Sequence, residues 1–265
     1  MNDKDILLAA DILFNHRLNK SGLKNLPEKL IPKTIKESYR IQDELKILYL
    51  TLKDNICIGK KVGCTNKIAQ KQLGIFEPFY GNLFSKFQNS SGCKLKSKKF
   101  FKPFMEPEIS LVIKDDININ EAPFSINDAD KLFKYIIPSI EIVDFRFGDN
   151  IKDVGINNLI ATNGASEYWI KSDNHYSLNS VDLNNHKINL YINGDLIEEG
   201  NTNAVLGNSL NSGIWVINKL SELGEPMLKN QFISTGTCTK AIAFEPNTNI
   251  VADFGTLGIV EINYI

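Results

Sequence analysis

Apolar positions recur at helical spacing twice near the start of the chain. Between residues 4 and 18, Ile6, Leu7, Ala10, Leu13 and Phe14 share one stripe. In residues 36–53, KESYRIQDELKILYLTLK, a second stripe holds Tyr39, Ile41, Leu45, Leu48 and Leu52. A 3.6-residue period predicts two helices, joined through KSGLKNLPEKLIPKT, a connection punctuated by Gly and Pro. After Asn55 the apolar runs shorten. Runs at 56–64, 106–114, 136–145, 187–192 and 249–263, separated by Asn, Asp, Gly and Pro clusters, predict strands. YINGDLIEEG, residues 191–200, reads as a hairpin because Asn-Gly between strand-like runs is a strong turn signal. One helix interrupts the later half: SLNSGIWVINKLSELG, residues 209–224, closes on a glycine at the usual capping position. The expected organisation is a helical portion over 1–55 leading into a mixed, mainly β body over 56–265, as one continuous unit of α+β class.

Within FMEPEISLVI, residues 104–113, two glutamates interrupt an apolar run. Alternation along a strand puts Glu106 and Glu108 on one face with Ser110 and Val112, and Met105, Pro107, Ile109, Leu111 and Ile113 on the other. Two half-buried like charges are costly unless a cation, a Lys or Arg, or a shared proton sits between them.

Composition narrows the partners. With 43% hydrophobic and 23% charged residues, the 265-residue chain has ample material for a core. Thirty basic residues balance thirty-one acidic ones, which argues against nucleic acid or an anionic membrane as main partner. No apolar run reaches membrane-span length, and the amphipathic start carries no signal-peptide cleavage pattern. Cys57, Cys64, Cys93 and Cys238 are scattered without CxxC spacing, so free thiols in a reducing cytoplasm are expected. His16, His175 and His186 each stand among Asn, Asp or Lys, at expected loops or helix ends, which disfavours a histidine mechanism.

Three further segments bear on chemistry. In IEIVDFRF, residues 140–147, Glu141 faces one side of a regular strand while Asp144 and Arg146 face the other. Either Glu141 joins the first carboxylate pair, or it is solvated beside a structural Asp144–Arg146 ion pair. Three carboxylates on strands would suit a hard, oxygen-preferring cation, Mg²⁺ or Mn²⁺. In GKKVGCTN, residues 59–66, Lys60 and Lys61 alternate faces. One points inward if the strand is covered on both sides, and a surface pair is the plainer reading. STGTCT within STGTCTKAIAF, residues 234–244, offers Thr235, Thr237 and backbone N–H groups to a carboxylate, or is simply a tight turn.

The succession GKKVG, EPFYGNLF, MEPEISLV, IEIVDFR, INGDLIEEG, VLGNSLNSGIWVINKLSELGEPM, STGTCT and ADFGTLGIVEI resembles the 2-keto-4-pentenoate hydratase group of the fumarylacetoacetate hydrolase superfamily. YRIQ at 39–42 resembles the N-terminal helix of that group. The resemblance implies a rolled β-sandwich, barrel-like core with N-terminal helices, assembled as a homo-oligomer. It implies Glu106, Glu108 and Glu141 as metal ligands, Lys61 as the lysine beside the substrate anion, and Asn163 at a substrate-binding position where Thr162 replaces the usual Asp. Where hydratases carry Asp between Pro and the aromatic-Gly, this chain has Phe79; Glu77 is the nearest substitute proton carrier. The related 2-oxo-acid decarboxylases carry an apolar residue there.

The activity expected from the resemblance is a metal-dependent hydro-lyase adding water to a 2-hydroxy-2,4-dienoate to give a 4-hydroxy-2-oxo acid. Decarboxylation or C–C hydrolysis of a 2-oxo diacid on the same metal platform is the first rival. A non-catalytic acid binder or assembly subunit is the second.

Overall fold

The computed structural model describes residues 1–147 and 151–265. Helices α1 (Asp3–Leu18) and α2 (Ile35–Leu50) lead into β1 (Cys57–Gly63), α3 (Lys67–Leu73), β2 (Phe79–Phe84), β3 (Gln88–Ser90), β4 (Cys93–Leu95) and β5 (Pro103–Ile113). After α4 (Ala129–Leu132) come β6 (Phe133–Asp144), α5 (Ile151–Ala161) and β7 (Ser166–Lys171). The chain finishes with β8 (Lys187–Ile192), β9 (Asp195–Asn201), α6 (Ser209–Glu222), β10 (Phe232–Thr237), β11 (Ile242–Ala243), β12 (Thr248–Asp253) and β13 (Ile259–Tyr264).

Local chemistry starts and stops these elements. Asn2 and Thr34 cap α1 and α2 by accepting from Asp5 N and Glu37 N, which satisfies otherwise orphaned first-turn donors. α6 ends where Gly224 turns to φ +75°, and the amides of Gly224 and Glu225 return to Ser221 O and Leu220 O. Asn193 and Gly194 both take positive φ between β8 and β9, the two-residue hairpin that Asn-Gly predicts.

Two sheets form the β body. The eight-stranded one runs β2-β1-β10-β5-β6-β7-β3, with β11 also on β5; the five-stranded one runs β4-β13-β12-β8-β9. Gln42 fixes α2 to the larger sheet, its amide donating to Tyr80 O and Ile160 O. β5 lies centrally and is buried on both faces from Met105 onward except at Glu106. Three short strands escape the sequence pattern: FYGNLF, SEYWIK and FISTGT are covered on both sides, so alternation is lost. Among the described residues no helix is long and apolar enough to cross a membrane.

Candidate metal centre and its pocket

The antiparallel pairing of β5 and β6 sets Glu106 directly opposite Glu141 and Glu108 opposite Ser139. Alternation then turns Glu108 to the same side as that pair. One carboxylate oxygen from each of Glu106, Glu108 and Glu141 lies within 4.8 Å of the other two. Like charges facing each other across strands repel, and Glu108 and Glu141 are wholly buried.

Only part of this charge is met from within. Glu108 Oε2 accepts from Ser234 Oγ at 2.5 Å and Gly236 N at 3.0 Å. The Lys61 Nζ, on β1, stands 3.2 Å from Glu141 Oε2, an ion pair without hydrogen-bond alignment. Glu108 Oε1 and both oxygens of Glu141 have no hydrogen-bond partner. Three carboxylates against one ammonium leave two negative charges, and the unpartnered atoms are hard oxygen donors. That set fits a divalent, oxygen-preferring cation.

Without a cation, burial pushes the Glu106 carboxyl up to about 7, with Lys61 pulling down and Glu141 pushing further up. Burial, then Glu141 and Glu106, hold Glu108 well above the ordinary carboxyl value. Burial alone would depress Lys61, but Glu141, Glu106 and Glu108 outweigh it and its pKa ends raised.

Beside the triad is a cavity of about 80 Å³ walled by Lys61, Cys64, Phe79, Glu106, Phe145 and Thr237, among others. Phe79 is 3% exposed and its ring occupies space that two glycines vacate. A Cβ at Gly63 would stand 2.3 Å from Phe79 Cζ, and one at Gly164 2.8 Å from Phe79 Cε2. Lys61 Nζ is 5.5 Å from the ring centroid. A wider opening of about 1380 Å³ reaches Glu106 and Thr237 from outside, past Phe104 and Phe145.

The other sequence candidates separate. Thr237 walls the cavity. Thr235 does not: it is fully buried, its hydroxyl donates to Ile109 O at 2.6 Å, and its own carbonyl accepts from Ser212, so it stitches β10 to β5 and α6. Asn163 is likewise committed, donating to Asn82 O at 2.9 Å and accepting from Asn82 N at 2.7 Å; its neighbour Gly164 is what reaches the cavity. Glu77 stands on the surface, 60% exposed and 3.5 Å from Lys219, because the chain turns through Pro78 before β2 begins. Lys60 is no surface residue: it is 8% exposed and donates to Asn82 Oδ1 at 2.9 Å. Asp144 pairs with Arg146 at 2.8 Å as the second alternative has it, but Glu141 is fully buried in the triad and not solvated beside that pair.

Sequence reasoning missed Gly63 and Gly164, whose role depends on where the Phe79 ring lands. It also missed Cys64, a free thiol in the cavity wall that burial pushes up to about 12.

No family model matches the chain. It is 29% identical to a 4-oxalocrotonate decarboxylase from Pseudomonas putida over 270 residues, covering 100% of this chain and 98% of the relative. A 2-keto-4-pentenoate hydratase from Burkholderia vietnamiensis is 28% identical over 207 residues, 78% of each. Among solved structures, 4-oxalocrotonate decarboxylase from Pseudomonas putida G7 complexed with magnesium and adipate superposes with a TM-score of 0.93 at 29% identity, over 100% of this chain and 99% of that one. A fumarylpyruvate hydrolase from Pseudomonas aeruginosa with Mn²⁺ and pyruvate shares the fold alone, at a TM-score of 0.56 and 11% identity, over 78% of this chain and 88% of that one.

Proposed function

From the premise of a chain related to the 2-keto-4-pentenoate hydratase group of the fumarylacetoacetate hydrolase superfamily, we propose a metal-dependent lyase that decarboxylates an unsaturated 2-oxo diacid of the 4-oxalocrotonate type. The observation that carries this choice over hydration is Phe79. An apolar ring occupies the wall where the resemblance to hydratases implies a carboxylate, and Glu77 is turned out to solvent.

Glu106, Glu108 and Glu141 would hold Mg²⁺ or Mn²⁺. The bound cation supplies Lewis-acid withdrawal at the 2-oxo group. Lys61 lies beside the same group of charges and offsets negative charge as it grows on the 2-oxo oxygen. Thr237 adds a polar side chain to the cavity wall, its hydroxyl donating to Thr239 O at 3.1 Å. Phe79 excludes water from one side of the cavity, and a carboxylate stripped of water there gives up CO₂ more readily than a solvated one. In the reaction the distal C–C bond to the carboxylate breaks and its electron pair moves through the conjugated chain to the 2-oxo oxygen. That oxygen takes a proton, leaving CO₂ and a 2-hydroxy-2,4-dienoate. No carboxylate base beyond the cation ligands is needed, and the described cavity wall offers none.

Hydration of a 2-hydroxy-2,4-dienoate is the second reading, favoured by the hydratases among the relatives. Purified protein with Mg²⁺ or Mn²⁺ is incubated separately with 2-oxohex-3-enedioate and with 2-hydroxypenta-2,4-dienoate, and products are identified by mass. CO₂ release from the diacid with no water added to the dienol is the expected result. Rapid hydration of the dienol without decarboxylation would replace this reading with the second.

A further inference from the structure

β10 lies between β1 and β5, and Ser234 is paired on both sides, with Lys61 on β1 and Ser110 on β5. Ser234 is wholly buried, and a buried hydroxyl needs a partner. Its partner is Glu108. Ser234 Oγ donates to Glu108 Oε2 at 2.5 Å, the length of a charge-assisted bond to a carboxylate.

A second donor comes from the irregular stretch that follows. Between the Ser234–Ser110 and Thr237–Glu108 pairs, β10 has Thr235 and Gly236 where β5 has only Ile109. This bulge turns the Gly236 amide out of the ladder and onto the same Oε2, at 3.0 Å. Gly236 takes φ +109° there, and a Cβ would stand 2.2 Å from Thr65 Oγ1, so the approach requires glycine.

A carboxylate oxygen has two lone pairs to offer. Both of Glu108 Oε2 are occupied, by Ser234 and Gly236, while Oε1 is buried with no hydrogen-bond partner. Glu141 Oε2 is also engaged, 3.2 Å from Lys61 Nζ. We infer that Ser234 is a positioning residue of the metal centre: it confines Glu108 to ligation through Oε1 alone and so favours Mg²⁺ or Mn²⁺ over Ca²⁺. Mg²⁺ demands near-ideal octahedral geometry, whereas Ca²⁺ takes about six to eight oxygens and accepts carboxylates through both of theirs. One-oxygen ligation keeps the protein's share of the ligands small, which leaves positions for a chelating 2-oxo acid. Without the Ser234 hydroxyl, one lone pair of Oε2 is released and the carboxylate can turn both oxygens to a larger ion. Ser234 acts in this way on the reading that the triad holds a divalent cation, whichever reaction follows.

Dissociation constants of Mn²⁺ and Ca²⁺ are measured by calorimetry for the full chain and for Ser234→Ala. Mn²⁺ affinity should fall about 10–100-fold, as when an outer partner of a metal ligand is lost. Ca²⁺ gains the second oxygen and should lose far less, so the preference for Mn²⁺ over Ca²⁺ drops by about tenfold or more. Unchanged affinities would overturn the role of Ser234. So would losses of the same factor for both cations, which general loosening of β10 produces. If the variant does not fold, a crystal structure of the unaltered protein with Mn²⁺ decides alone. Glu108 should ligate through Oε1 with Ser234 Oγ still on Oε2, and ligation through both oxygens would overturn the assignment. Failure of the unaltered chain to bind either cation would remove the metal centre itself, and the role of Ser234 with it.

Discussion

Lys61 Nζ sits 3.2 Å from Glu141 Oε2, with neither side chain more than 3% exposed. The ammonium is therefore held at the triad by its ion pair with Glu141, and with three N–H donors it keeps others for a substrate oxygen. Lys61→Met should lower turnover by about 10²–10³-fold, the usual effect of deleting one preorganised contact to developing charge. The neighbouring substitution has a different signature. Lys60→Met removes the donor to Asn82 Oδ1 and should cost about 1–3 kcal/mol of stability, with turnover per folded molecule nearly unchanged. Steady-state kinetics and thermal melts of both variants separate the two. Equal loss of turnover would contradict the assignment of Lys61 alone to the reacting face.

The triad should couple stability to pH in a metal-free sample. Glu106 rises from 4.5 to about 7 on folding, chiefly through burial. The folded state thus binds the proton more tightly than the unfolded state, so this group's contribution to stability falls as pH rises from about 4.5 to about 7. Melting temperatures in EDTA should decline more steeply across that window for the unaltered chain than for Glu106→Gln. Added Mn²⁺ should raise the melting temperature more at pH 8 than at pH 5, because cation binding must displace the proton. Glu106→Gln should weaken Mn²⁺ affinity by about a hundredfold or more, since losing even an outer-shell partner costs about 10–100-fold. Parallel slopes for the two chains would contradict the proton-holding state of the half-buried Glu106.

How much of this centre the sequence reveals depends on which distances are local. Glu106 and Glu108 are legible as a pair because strand alternation acts over two residues. That Glu141 stands opposite Glu106 depends on the β5–β6 register, which periodicity does not fix. Glu77 is adjacent in sequence to the position where a proton carrier is expected, yet the turn at Pro78 sends it outward to Lys219. Thr235 and Thr237 look equivalent in STGTCT, but they have different fates. The first lies in the irregular stretch between Ser234 and Thr237, its hydroxyl turned to Ile109 O, and the second resumes the pairing opposite Glu108, where it lines the cavity. The Arg17–Glu167 contact bridges 150 residues and leaves no trace in either local pattern.

Phe79 decides between the two reactions, and its exchange for a carboxylate is the direct test. Phe79→Asp sets a proton-transferring group beside Lys61 and restores water to the cavity wall. Decarboxylation of 2-oxohex-3-enedioate should fall, and hydration of 2-hydroxypenta-2,4-dienoate should rise from background by about 10²-fold, the lower range for a positioned acid or base. Glu77→Gln should leave both reactions unchanged, because its exposed pair with Lys219 lies outside the cavity. If Glu77→Gln abolishes activity, the proton path runs through the surface glutamate and the role given to Phe79 is wrong.

The glycines that seat the Phe79 ring allow its position to be tested without changing its chemistry. An added methyl at Gly63 would meet Phe79 Cζ at 2.3 Å, closer than any packed carbon pair, so the ring must move. Gly164 adds a second constraint, since its φ of +65° is strained for any L side chain and its Cβ would also approach Lys61 Cδ at 3.3 Å. Gly63→Ala should displace the ring toward the triad and reduce turnover by at least about tenfold, as small displacements of positioning groups do. A loss of about 1–3 kcal/mol in stability from overpacking should accompany it. The double variant Gly63→Ala with Phe79→Leu removes the clash and should recover the stability, while leaving a smaller apolar wall. Kinetics and melts of the single and double variants form a double-mutant cycle with coupling beyond about 0.5 kcal/mol, the threshold for residues in contact. Additive effects would mean that Gly63 and Phe79 do not touch, and the seat described for the ring would have to be abandoned.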